Sequence, residues 1–197
     1  MKLLNMFFWL TLSVMVSTVH ADAFEEGLVL FEATKYKKAM KIWRPLAEQG
    51  EVAAQVKLGA MHEGGLGVRR DLVEALKWYH KAAQQGNSEA EYHLGELYSI
   101  GHVGIEMDIV ESIKWYRKAA EHGNTNAQYS LGARYFKGEG LPQDYVMGYA
   151  WLELAARHGH YSAPNYRDLV GMILSAEEIK KAKLIADDLS KKYGNEG

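Results

Sequence analysis

Histidine, serine and the carboxylates are the side chains from which a reactive site could be assembled here, since the 197 residues include 8 histidines and 25 acids but no cysteine. Thiol chemistry and thiolate metal ligation are therefore excluded. The strongest metal candidate is His158-Gly159-His160 with His122. Zinc needs three or four ligands converging at about 2.0–2.3 Å. His122 and His158 instead occupy matching places in a repeated pattern, where Gln49 and Gln85 also fall. That register predicts surface positions near helix ends, where an imidazole meets a favourable dipole, and no metal site is expected. A nucleophilic serine of the penicillin-recognising type needs a lysine one helical turn later to take its proton. No Ser-x-x-Lys occurs. Gly86-x-Ser88-x-Ala90 comes nearest to a nucleophile elbow, but it opens a helix, where serine is expected as a cap. Most acids fall on outward helical positions, so no catalytic residue is expected.

The elements that must position these side chains are set by an internal repeat. Gly50, Gly86, Gly123 and Gly159 recur at spacings of 36, 37 and 36, within the range of solenoid repeats. Ala47, Ala83, Ala120 and Ala156 stand three before them; Ala54, Ala90, Ala127 and Ala163 stand four after. Each repeat reads as two helices. The first begins near Ala54, Ala90 and Ala127 and carries Leu58-Gly59, Leu94-Gly95 and Leu131-Gly132, then His62, Tyr98 and Tyr135 one turn on. Those spacings fall on one helical stripe. A glycine inside a helix costs about 1 kcal/mol relative to alanine, so its recurrence predicts close approach of the partner helix.

The second helix carries Ala75, Trp78-Tyr79 and Ala82-Ala83, then Ser112, Trp115-Tyr116 and Ala119-Ala120, then Gly148, Trp151-Leu152 and Ala155-Ala156. This is a core-facing stripe in which large side chains oppose small ones. Asp71 with Glu74 and Asp108 with Glu111 predict helix starts, and Asp144 keeps the cap with Met147 in place of the acid. Glycine-rich loops (64–68, 101–104 and 138–142) join the two helices. They lead helix to helix and lack a Lys-Ser/Thr ending, so they are read as positive-φ turns, with no nucleotide and no other cofactor expected. The second loop is one residue longer. A shortened repeat with Gly27, Leu30, Tyr36, Ala39, Ile42-Trp43 and Leu46-Ala47 comes first. Ser175-x-x-Glu178 opens a last helix with Ile179, Ala182, Ala186, Leu189 and Tyr193 on one side, read as a cap over the repeats, and 194–197 as a frayed end.

Lys2, an apolar run from Leu3 to Val16 and Val19-His20-Ala21 have the make-up of a secretory leader. Residues 1–21 are expected to be removed between Ala21 and Asp22, placing the protein in the periplasm or outside the cell without stable membrane insertion. The apolar run is shorter than the roughly 20 residues that span a bilayer. With 23 basic against 25 acidic side chains, bulk charge attracts neither nucleic acid nor anionic lipid.

The string Ala-x-x-x-Leu-Gly-x-x-Tyr, glycine loop, Asp, Ala-x-x-Trp-Tyr-x-x-Ala-Ala-x-x-Gly resembles the Sel-one-like repeat, a relative of the tetratricopeptide repeat. Ala90 to Gly123 matches almost throughout, with Ser112 for alanine; Ala54 to Gly86 departs at His62, and Ala127 to Gly159 at Gly148 and Leu152. The opening stretch from Tyr36 to Gly50 is similar to the leading repeat of exported bacterial members. The resemblance implies an all-α, right-handed superhelical α/α solenoid of helix hairpins closed by a C-terminal capping helix. Residues 22–197 form one domain in this reading: a degenerate first repeat at 22–52, full repeats at 53–88, 89–125 and 126–161, and the cap at 162–197. It also implies a non-enzymatic adaptor of the cell envelope that holds a peptide or helix of a partner protein in a concave groove. By tetratricopeptide analogy the groove residues are Val56, Ala60 and Glu63, then Tyr92, Glu96 and Ser99, then Tyr129, Ala133 and Phe136. The aromatic members are either anchors for the partner or the completion of the core. Competing readings are a hydrolase of cell wall or β-lactams, and an inhibitor, immunity or regulatory protein for an envelope enzyme or sensor. A cysteine-rich branch of the family is linked to β-lactams, and this chain has none of that branch's disulfides.

Overall fold

The computed structural model describes residues 21 to 193, which form ten α-helices and no strand; a single isolated bridge joins His102 and Ile105. Residues 1–20 of the expected leader, and Gly194 to Gly197, lie outside the described residues. The helices are α1 (21–32), α2 (Tyr36–Glu48), α3 (Val52–Gly64), α4 (Leu72–Ala83), α5 (Ser88–Ile100), α6 (Ile109–Glu121), α7 (Thr125–Lys137), α8 (Tyr145–Arg157), α9 (Ala163–Gly171) and α10 (Ala176–Tyr193). The chain divides into two compact units, one ending at Lys81 and the other starting at Ala82.

In the first unit, Trp43 of α2 is fully buried and its indole donates to the carbonyl of Phe24 at 3.1 Å. Phe24 and Phe31 of α1 pack on the same ring, with centroids 5.7 and 5.6 Å away. Ala47, Ala54, Leu58, Met61 and Trp78 complete that core. In the second unit, one cluster gathers Tyr116, Ala119, Ala120, Ala127, Leu131, Trp151 and Leu154 around α6, α7 and α8. A second cluster joins Ala150 and Leu152 of α8 to Val170 of α9 and to Ala182 and Ala186 of α10.

The helical glycines mark close approach, as their recurrence predicts. A Cβ on Gly59 would stand 2.6 Å from the Tyr79 ring, and one on Gly95 would stand 2.7 Å from the Tyr116 ring. On Gly132 it would meet Leu152 at 2.7 Å and the Gly148 carbonyl at 3.0 Å. The aspartate caps form as expected: Asp71, Asp108 and Asp144 accept from the backbone N–H three residues on, each at 2.9 Å. Each aspartate's own N–H donates to the first helix of its hairpin, at the carbonyls of His62, Tyr98 and Tyr135, each at 2.9 Å. The first and third loops leave their helices through left-handed Gly65 and Gly138, whereas the longer second loop leaves through Gly101 at ψ 156° and carries the His102–Ile105 bridge.

The first helices start two residues earlier than expected, at Val52, Ser88 and Thr125. The caps are Glu51, Asn87 and Asn124, whose side chains accept from the N–H of Ala53, Ala90 and Ala127. Asn87, not Ser88, thus caps α5. In α10, Ser175 and Glu178 make the reciprocal box, with the Glu178 carboxylate accepting from the Ser175 N–H at 2.8 Å. Ala182 and Ala186 are fully buried, with Ile179 packed on the same cluster. The segment after Ala163, where the repeat pattern decays, forms α9 with only Ala163 and Val170 buried.

Candidate functional site

In the second unit the wall expected to receive a partner is built from α5 and α7. Tyr92 stands one turn before Glu96 and its hydroxyl donates to that carboxylate at 2.8 Å. Its ring lies 5.7 Å from His93 and 5.8 Å from Tyr116. Ser99, on the last turn of α5, accepts from the Arg134 guanidinium of α7 at 2.6 Å. Arg134 also lies over the Tyr116 ring, 5.2 Å from its centroid. Burial pushes the Tyr116 phenol's pKa above its ordinary value and outweighs the opposing influence of the nearby Arg134 and Ser99. Tyr92, Glu96, Ser99 and Arg134 are all partly exposed, so this section of wall presents a bonded polar surface backed by aromatic rings.

Tyr129 and Phe136 form the other section. Tyr129 stacks on His160 at 4.4 Å with planes 12° apart, and Tyr166 of α9 meets it edge-on at 5.7 Å. Phe136 packs against Tyr166 at 5.6 Å and Tyr145 at 5.8 Å. These rings are half-buried. Tyr129, Ser162, Asn165, Tyr166, Asp168, Leu169 and Met172 surround an open depression of about 520 Å³. Leu169 is 45 % and Met172 84 % exposed, so apolar surface at its rim stays in water.

In the first unit, Val56 is 4 % exposed and belongs to the packed interior, not to an open wall. Glu63 accepts from the Tyr79 hydroxyl at 2.6 Å while its own carbonyl takes the Arg70 guanidinium. Glu63 and Ser99 share one register; Glu63 meets Tyr79 directly, and Ser99 holds the guanidinium that lies over Tyr116. In the third hairpin Phe136 and Leu152 occupy those two places, an apolar pair within one cluster. A coupled exchange of both partners explains why the third repeat departs from the pattern at Leu152.

The histidines singled out for possible ligation go elsewhere. His122 caps α6 and its Nδ1 lies 2.7 Å from Glu91. His158 caps α8, with Nδ1 3.0 Å from Gln128, and His160 stacks on Tyr129. Among the described residues no three His, Asp or Glu side chains are grouped to hold a metal, and no helix is long and apolar enough to cross a membrane. His62, which replaces the tyrosine of the pattern, is 8 % exposed with neither ring nitrogen partnered. Its burial pushes its pKa below the usual imidazole value.

Sequence reasoning did not find Glu153. This carboxylate of α8, 9 % exposed, accepts from Arg157 at 2.9 Å and from Arg167 of α9 at 3.0 Å. Arg157 goes on to Asp187 of α10 at 2.6 Å, tying three helices behind the depression. An acid in the middle of an otherwise apolar helix was the available signal.

The Sel1 repeat model matches residues 52–87, 88–124 and 125–160. A crystal structure of a Sel1 repeat protein from Oxalobacter formigenes superposes with a TM-score of 0.70 and 32 % identity, covering 85 % of this chain and 69 % of that one. The Rattus norvegicus protein named DAP3-binding cell death enhancer 1 is 39 % identical over 64 residues, 32 % of this chain and 13 % of its own length. The Arabidopsis thaliana ERAD-associated E3 ubiquitin-protein ligase component HRD3A is 37 % identical over 67 residues, 34 % of this chain and 10 % of its own. The chain therefore spans only a small part of these curated relatives.

Proposed function

Because the chain belongs to the Sel1 repeat family, an α/α solenoid class, we propose that it is a non-enzymatic adaptor of the cell envelope whose second unit holds a segment of another protein. The observation that carries this reading is the set of half-buried rings at Tyr92, Tyr129 and Phe136, of which Tyr129 lines the open depression beside Leu169 and Met172. Rings of this kind give large contact area at low conformational cost, and an apolar rim left in water gains by being covered. Relatives named for a binding partner or for membership of an assembly support a binding role. The envelope location rests on the leader-like residues 1–21, and a mature N-terminus at Asp22, read by mass spectrometry of the exported protein, is its test.

The binding site is tested by placing a photo-crosslinking residue at Leu169 in cells and comparing the adduct with that of a Met172→Ser partner variant. The expected result is one discrete protein adduct, reduced about tenfold by the serine, which corresponds to about 1.4 kcal/mol. Changing Tyr92, Glu96 and Tyr129 together is expected to abolish the adduct while helicity is retained. An undiminished adduct moves the partner away from this wall. Turnover of a chromogenic β-lactam or of peptidoglycan above a denatured control replaces the adaptor reading with a hydrolase.

A further inference from the structure

Glu91 is a carboxylate with 1 % exposure on the second turn of α5. Its register mates one repeat before and after are Gln55 and Gln128, also buried at 3 % and 0 %. Each glutamine donates its side-chain amide to a carbonyl at the end of the preceding helix: Gln55 to Ala47 at 3.0 Å and Gln128 to Ala120 at 3.2 Å. Gln128 also meets the Nδ1 of His158, so one amide serves as donor on one side and as partner of an imidazole on the other. Glu91 keeps the second contact, with its Oε2 2.7 Å from the Nδ1 of His122. The place of Ala47 and Ala120 is taken by Ala83, and an ionised carboxylate has no hydrogen to give to its carbonyl.

We propose that Glu91 and His122 form a proton-dependent latch between α5 and the end of α6, which tightens when Glu91 is protonated and takes the role that Gln128 plays one repeat later. The other charged groups facing Glu91 are Lys118 and Glu121, both on α6. Glu121 is itself held by the Tyr193 hydroxyl of α10 at 3.1 Å, so the latch adjoins a contact of the C-terminal helix. Burial raises the Glu91 pKa and outweighs the opposing effects of His122 and Lys118. A carboxyl group whose pKa is raised on folding holds its proton longer in the native state. The stability it contributes is therefore present at low pH and lost as pH rises past the unfolded value.

The test compares the full chain with Glu91→Gln, which installs the amide of the neighbouring repeats. Melting temperature is followed from about pH 4.5 to about pH 8, with hydrogen exchange of the amides around Asn87 as a local reading. The expected result is a variant that melts higher than the parent near the alkaline end, with a gap that closes toward the acid end. Exchange around Asn87, corrected for its intrinsic pH dependence, should accelerate with pH in the parent and not in the variant. Gln128→Glu, opposite His158, is expected to introduce the same dependence at the next junction. A gap that does not vary with pH overturns the latch. A variant that melts lower than the parent near pH 8 also overturns it, because the ionised pair would then be the stabilising form.

Discussion

In the α5–α6 hairpin the tight approach is made by Tyr116 over Gly95, with the Arg134 guanidinium over the ring and bonded to Ser99; in α7–α8, Leu152 stands over Gly132 and Phe136 replaces Ser99. The small position facing each approach differs as well. Ser112 donates to the Gly95 carbonyl at 2.7 Å, whereas Gly148 has no side chain and a Cβ there would stand 3.2 Å from the Gly132 carbonyl. At this small position one hairpin is joined by a side-chain hydrogen bond and the other by backbone proximity. The comparison teaches that the repeat constrains volume and leaves polarity free, provided both members of a facing pair change together. The hairpin with apolar facing pairs is the one beside the open depression, where Phe136 turns toward Tyr166 and Tyr145.

The largest effect expected from breaking this comparison comes from Tyr116→Ala. It removes a ring that is 5 % exposed and leaves a cavity against Gly95, which costs about 3–5 kcal/mol. Leu152→Ala makes a smaller void, at about 2–5 kcal/mol, and strands no polar group. Urea denaturation of both variants checks the pair. The difference should narrow when Tyr116→Ala is combined with Arg134→Ala, because the guanidinium would otherwise lose the ring beneath it. Equal losses with and without Arg134 show that the contact of the guanidinium with the ring contributes nothing.

Next in size are alanine substitutions at the two contact glycines. Overpacking a filled core costs about 1–3 kcal/mol, offset in part by the roughly 1 kcal/mol that alanine gains over glycine in a helix. Gly132→Ala is expected to cost more than Gly95→Ala, because it meets the backbone of α8 as well as a side chain. Thermal melts order the two, and a stabilised Gly132→Ala protein shows that α7 and α8 separate freely.

What could be read before any coordinates follows the same division. Gly59, Gly95 and Gly132 were legible because a missing Cβ beside a bulky side chain must recur wherever the hairpin recurs. Asp108, Asp144 and the Ser175–Glu178 box were legible because caps are local. The contacts of Arg134 with Ser99, of Glu91 with His122 and of Glu153 with Arg167 join positions on different helices, and nothing periodic in the sequence announces them. Register alone placed Tyr92, Tyr129 and Phe136 on one face, but their half-burial depends on His160 and Tyr166. Tyr166 belongs to a segment where the repeat has lapsed, and α9, with only two buried residues, leaves too sparse a pattern to be recognised as a helix.

The smallest effects come from converting both hairpins to the alanine that the repeat favours, which Ala75 already supplies in the first. Ser112→Ala removes one buried hydrogen bond. The Gly95 carbonyl keeps its place in the α5 ladder, so the loss stays near the low end of the usual range, about 0.5–1 kcal/mol. Gly148→Ala gains about 1 kcal/mol of helix propensity. Its new Cβ presses on the Gly132 carbonyl and the Phe136 N–H, both 3.2 Å away and both backbone. Helix α7 must then withdraw by a few tenths of an ångström, and the strain is expected to cancel the gain. Phe136 would be carried along, so its contact with Tyr166 should loosen even where stability does not change. Aromatic chemical shifts of Tyr166 therefore decide the matter: a shift without a change in the denaturation midpoint supports a hairpin held by backbone proximity. An unmoved Tyr166 with the full gain in stability shows instead that α7 and α8 have slack to spare.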